Sequence, residues 1–104
     1  MSPWRTLKAY TLEDAPPALR ESLSPQQANI ALLIANGRCD KHIETLLSIS
    51  HSALRIYIDR IRKRWDLPKD DNVRVAITRV VVRMWAEYEY ALIEQTKVQQ
   101  EEAA

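Results

Sequence analysis

A chain of 104 residues has room for one small domain with a modest core. With a single glycine, no phenylalanine and 46% hydrophobic residues, it leans strongly towards helix. The net charge of +1 does not by itself point to a polyanionic partner, and one cysteine excludes an intramolecular disulfide framework and suits a reducing compartment.

The longest uninterrupted apolar run, "IALLIA" at 30–35, is far short of a membrane span. The opening "MSPWRTLKAY" lacks the apolar stretch of a secretion signal, so a cytoplasmic protein with no membrane partner is expected.

Residues 1–22 read as an N-terminal arm or short helix. Asp14 as a cap and Pro16–Pro17 as a start offer a helix near 16–22. Trp4, Leu7, Tyr10 and Leu12 supply apolar groups for packing on the domain or for an arm. "SPQQ" at 24–27 is a clear helix start: Ser24 caps, Pro25 suits the first position, and Gln27 completes a capping box. Ile30, Leu33 and Ile34 recur at helical spacing, and Gly37 reads as the left-handed residue that ends the helix.

A second helix runs from Asp40 to Leu47, with Ile43, Leu46 and Leu47 inward. "SIS" is a tight turn in which Ile49 plugs the gap between helices and Ser50 caps the next helix, 51–65. That helix turns Leu54, Ile58, Ile61 and Trp65 inward, until Pro68 ends it.

Asp70 or Asp71 caps a last helix to about Lys97, followed by a polar tail, "QQEEAA", expected to fray. Ile77, Val81, Met84, Tyr88, Ala91, Gln95 and Val98 alternate in steps of four and three, a heptad-like seam. Val80, Val82, Trp85 and Leu92 add apolar surface off that seam. A helix apolar on more than one side needs more than one partner. The expectation is that its first half packs on the domain and its second half on another chain, with Ile77, Val81, Met84, Trp85, Tyr88 and Leu92 as candidate dimer contacts.

The charge is unevenly placed. Between 51 and 69, six cations (Arg55, Arg60, Arg62, Lys63, Arg64, Lys69) face Asp59 and Asp66, whereas residues 70–104 carry four cations against seven anions. The basic segment coincides with the second of two helices joined by a short turn. This is the helix-turn-helix pattern, in which the first helix braces and the second offers its early outer face to the major groove. The fold expected is therefore all-α: a three- to four-helix helix-turn-helix domain over 23–70, with an extended C-terminal dimerisation helix and polar tail over 71–104.

"LSPQQANIALLIANGRCDKHIETLLSISHSALRIYIDRIRKRWDL", residues 23–67, resembles the LuxR/GerE-type (NarL/FixJ-like) helix-turn-helix DNA-binding domain. The resemblance rests on Leu23, Pro25, Ala35, Gly37, Lys41, Ile43, Leu47, Ile49, Ser50 and Ile61 in ungapped order. Cys39, His42, Ala53 and Tyr57 stand where the family usually has Ser, Glu, Thr and His. Nothing before residue 23 is long enough for the receiver or ligand-binding domain such regulators carry. Region 4 of bacterial sigma factors uses nearly the same unit.

The resemblance implies that Arg55 and Ile56 face base edges, with His51, Ser52 and Asp59 beside them on the early outer face. Arginine binds guanine O6 and N7 with two hydrogen bonds, and an apolar tip suits a thymine methyl. Lys41, Ser50, Tyr57, Arg60, Arg62, Lys63 and Arg64 are phosphate candidates, which position a protein without specifying sequence.

No metal-ligand spacing joins Cys39, His42 and His51, no carboxylate pair has pocket logic, and no Gly-rich phosphate loop exists, so neither a cofactor nor an enzymatic activity is expected. The expected function is a dimeric sequence-specific transcriptional regulator, a repressor without a sensory domain, with double-stranded DNA and a second copy as partners. The alternatives are a scaffold binding a transcription factor or polymerase subunit, and a DNA-packaging or recombination accessory protein.

Overall fold

Helix boundaries in this chain are set by a small number of caps, at positions where the backbone would otherwise leave N–H and C=O groups unpaired. The computed structural model describes residues 10–69 and 72–103. Within them the chain forms five helices and no strand: α1 (Pro17–Ser22), α2 (Pro25–Ala35), α3 (Asp40–Leu47), α4 (His51–Arg64) and α5 (Val73–Ala103).

The capping box at α2 is complete. The Gln27 backbone N–H donates to Ser24 Oγ, and the Ser24 N–H donates to Gln27 Oε1, both at 3.2 Å. At α4 the Ala53 N–H donates to Ser50 Oγ at 3.0 Å. A serine cap of this kind stabilises by roughly 0.5–2 kcal/mol.

Three helix ends use one device. A residue in the left-handed region reverses the chain, and the following N–H reaches back five residues. After α2 this is Gly37, at φ 82°, with Arg38 N–H donating to Leu33 O. After α3 it is Ser48, at φ 54°, with Ile49 N–H donating to Glu44 O. After α4 it is Asp66, at φ 54°, with Leu67 N–H donating to Arg62 O. Each bond satisfies a carbonyl the helix itself leaves open.

α2 is the central element; it packs most heavily on α5 and then on α4. Leu19, Ile30, Ile43, Leu54, Ile61, Ile77 and Val81 are fully enclosed. Burying a side chain of this size contributes about 1.5–3 kcal/mol. No polar side chain is buried among the described residues, so the core is purely apolar.

The segment from Tyr10 onward is fixed to this body. The Asn36 side-chain amide pairs with the Tyr10 backbone, accepting from its N–H and donating to its C=O, both at 2.8 Å. The Tyr10 ring meets Trp85 edge to face at 4.9 Å. At the other end, Ser22 holds the end of α4: Trp65 Nε1 donates to Ser22 Oγ at 2.9 Å and Arg64 Nε to Ser22 O at 2.8 Å.

Several expectations need correction. α1 begins at Pro17 with no side-chain cap; Asp14 instead accepts from Thr11 Oγ1. Leu46 is not inward but 53% exposed, because it lies a quarter turn from Leu47 on a helix of only 8 residues. α5 does not stop near Lys97 but continues through the tail to Ala103, over good helix formers uninterrupted by Gly or Pro. The expected caps Asp70 and Asp71 lie outside the described residues, as do Trp4 and Leu7.

The six candidate dimer contacts also divide. Ile77 and Val81 are fully buried and Trp85 is 8% exposed, because α1, α2 and α4 already cover that side of α5. Those three side chains are taken up by the chain's own core. Met84 and Tyr88 are half-buried, and Leu92 is exposed.

Candidate nucleic-acid interface

α3 and α4 are joined by Ser48, Ile49 and Ser50. Ile49 packs half-buried against the core, so the turn is pinned from below while Ser50 caps α4 from above. His51 Nδ1 lies 3.2 Å from Glu44 Oε2, a contact across the turn that becomes a hydrogen bond when Nδ1 carries the proton. The inward side of α4, Leu54, Ile58, Ile61 and Trp65, packs on the domain as its spacing implies.

At 100° per residue, Ser52, Ile56, Asp59 and Lys63 lie along one line opposite that inward side, with Arg55 and Arg60 flanking them. Ser52, Arg55, Ile56, Arg60 and Lys63 are exposed, Ile56 to 53%. The side chains of Arg55 and Arg60 have no hydrogen-bond or ion-pair partner among the described residues.

Asp59 is on the same face but is not a bare anion. Lys63 Nζ sits 3.0 Å from one carboxylate oxygen and Arg62 Nε 3.2 Å from the other. The hydrogen bonds from Lys63 and then Arg62 hold the Asp59 carboxyl below its ordinary value. The three groups together leave one positive charge where the residue list suggests a repulsive carboxylate.

The later cations have unequal roles. Arg62 is half-buried: besides Asp59 it donates to the Leu67 carbonyl at 3.3 Å and so closes the end of α4. Arg64 is exposed yet tied to Ser22. Tyr57 is half-buried against the core, and Ser50 is occupied as a cap. Lys41 is exposed on the first turn of α3.

Arg60, Lys63 and Arg64 line one open depression together with Ser24 and Gln27, at the N-terminus of α2. The N-terminal end of α2 and three cations thus face the same space, with the Glu21 carboxylate on its rim and Lys63 shared with Asp59, which leaves a net positive lining that a phosphate group can meet. The sequence alone does not show this grouping, because α2 begins 35 residues before Arg60. Arg74 is a structural cation of the same kind as Arg62. It donates to the Asp40 carboxylate and to the Arg38 carbonyl, tying the start of α5 to the start of α3.

Of the apolar residues expected off the seam of α5, Val82 is exposed on the far side, and the structure sets Val75 and Ile93 in line with it. Val75, Val82 and Ile93 are exposed to 48%, 41% and 54%, and Tyr90 stands beside Ile93. Their spacing of seven and eleven residues, two and three helical turns, was a signal in the sequence. The stronger seam through Ile77 and Val81 masks it.

No helix among the described residues is long and apolar enough to cross a membrane. The chain matches no family model, no curated protein and no solved structure.

Proposed function

We propose that this chain is a sequence-specific DNA-binding transcriptional regulator that works as a homodimer and represses by blocking polymerase. One observation carries the reading. Immediately after a three-residue turn between two helices, Ser52, Arg55 and Ile56 stand exposed side by side on the first turns of α4, outside the core formed by the described residues. A major groove admits a helix in this presentation, and its base edges match an arginine and an apolar tip.

The depression at Ser24, Arg60, Lys63 and Arg64 supports the reading, since backbone contacts must fix the register of such a helix. Asp59 does not oppose it, because Lys63 and Arg62 offset its charge. Mobility shift with a genomic fragment pool tests the proposal. Binding at or below micromolar protein that weakens steeply with salt is expected. Absence of salt-sensitive binding in that range sinks it.

A second reading, a scaffold that docks on a transcription-machinery protein, draws on the exposed Tyr90, Leu92, Ile93 and Val98 of α5. Capture of such a partner by a chain that ignores DNA and stays monomeric would reverse the ranking.

A further inference from the structure

α5 carries two apolar stripes. One, through Ile77, Val81 and Met84, is taken up by α1, α2 and α4. The other passes through Val75, Val82, Ala86 and Ile93, on the opposite side of the helix, and all four are exposed. These steps of seven, four and seven residues are those of a helix-pairing seam. Among the described residues, no helix lies on that side.

The charges on α5 select what covers it. From 73 to 86 the helix carries Arg74, Arg79 and Arg83 and no acid; from 87 to 103 it carries Glu87, Glu89, Glu94, Glu101 and Glu102 against Lys97. The helix is positive at one end and negative at the other. A second α5 laid parallel sets like charges side by side, and one laid antiparallel sets opposite charges side by side.

We propose that two copies of this chain pair antiparallel through the outward stripe of α5, about a two-fold axis near Ala86. This rests on the self-association in the functional reading above, and gives it a face and a direction. Around that axis Val82 meets the partner's Tyr90 and Ile93, and Arg79 and Arg83 come alongside the partner's Glu94 and Glu89. The small side chain of Ala86 at the crossing lets the two backbones close. The two α3–α4 units then lie at opposite ends of the pair. Val73 is 13 residues from Ala86, so the starts of the two α5 helices are separated by about 39 Å along the axis. Successive turns of one DNA face are about 34–36 Å apart.

The test uses the full chain without DNA, so that it is separate from the DNA reading. Sedimentation velocity at micromolar concentration is expected to give twice the mass of one chain. Val82→Glu with Ile93→Glu is expected to sediment as one chain with an unchanged helical circular dichroism signal. Orientation is read in a Cys39→Ser background by mixing Val82→Cys copies with Ile93→Cys copies under mild oxidation. Disulfides between unlike copies support the antiparallel pair, and disulfides only between like copies overturn it. A wild-type chain that stays single, or a Val82→Glu, Ile93→Glu chain that still doubles, also overturns it. A dimer that passes these tests but ignores DNA leaves this inference standing and removes the DNA reading.

Discussion

α4 and α5 treat their inner faces alike and their outer faces differently. Inward, both present aliphatic side chains that are fully enclosed: Leu54 and Ile61 on α4, Ile77 and Val81 on α5. Outward, α4 presents Ser52, Arg55, Arg60 and Lys63 around the single aliphatic Ile56, whereas α5 presents Val75, Val82 and Ile93. The inner faces answer to the same hydrophobic effect and specify the fold. The outer faces contribute little to that core, and on the reading proposed above their chemistry suits a polar, negatively charged surface for α4 and an apolar one for α5.

The largest effects should fall on the inner faces and be similar on both helices. Leu54→Ala and Ile77→Ala are each expected to destabilise by about 2–5 kcal/mol in urea denaturation, from lost burial plus the cavity left behind. A change under 1 kcal/mol at either site would mean that helix is not part of one shared core.

On the outer face of α4, Arg55→Ala is expected to leave folding unchanged. Its cost should be about 1–3 kcal/mol of DNA affinity, concentrated at one base position in a binding selection. A uniform loss across all sequences would reassign Arg55 to a phosphate.

Asp59→Asn separates the two kinds of cation on that face. The Asp59 carboxyl is held low, so its pairing contributes above the carboxyl's unfolded value and is lost as pH falls through the lowered one. The amide removes it at every pH. If Lys63 then turns to a phosphate, DNA binding tightens and the salt slope steepens by about one unit. An unchanged slope would assign Lys63 to solvent.

The smallest effect is expected on the outer face of α5. Ile93→Ala should change the unfolding free energy of the chain by no more than about 0.5 kcal/mol, the range of surface substitutions. Measured at a concentration where the chain is monomeric, a larger loss would place Ile93 against a segment of its own chain.

How much of this was legible in the residues varies with what each feature depends on. The Ser24–Gln27 box and the Ser50 cap are local, and their residue types and spacing name them outright. Of the three left-handed helix ends, only Gly37 is visible in advance, because glycine adopts that backbone at no steric cost. Ser48 and Asp66 occupy the same region against a preference that sequence reading rightly assigns to them.

Asp59 is a different kind of miss. Its partners stand three and four residues on, the spacing at which helical side chains meet, yet its reading as an anion aimed at DNA ignores them. The seam on α5 shows a third limit. Periodicity gives the apolar side of a helix but not which neighbour covers it, and Ile77 and Val81 prove to be covered by the chain's own helices. The likeness of α4 to a recognition helix rests on motif spacing, while the depression at Ser24, Arg60, Lys63 and Arg64 depends on how α2 and α4 pack.

The unbroken course of α5 fixes more than a length. Its 31 residues contain no proline or glycine, so the helix transmits rotation as well as distance from the core to its far end. Deleting two residues just after Trp85 would turn everything beyond by about 200° and bring Leu92 and Ile93 out on roughly the opposite side of the helix. Deleting seven would shorten the rod by about 10 Å and leave the sides within about 20° of their present phase. If its outer stripe meets a second copy, α5 is thus a phase gauge, and insertions or deletions in it are expected to preserve pairing or not according to their remainder in helical turns.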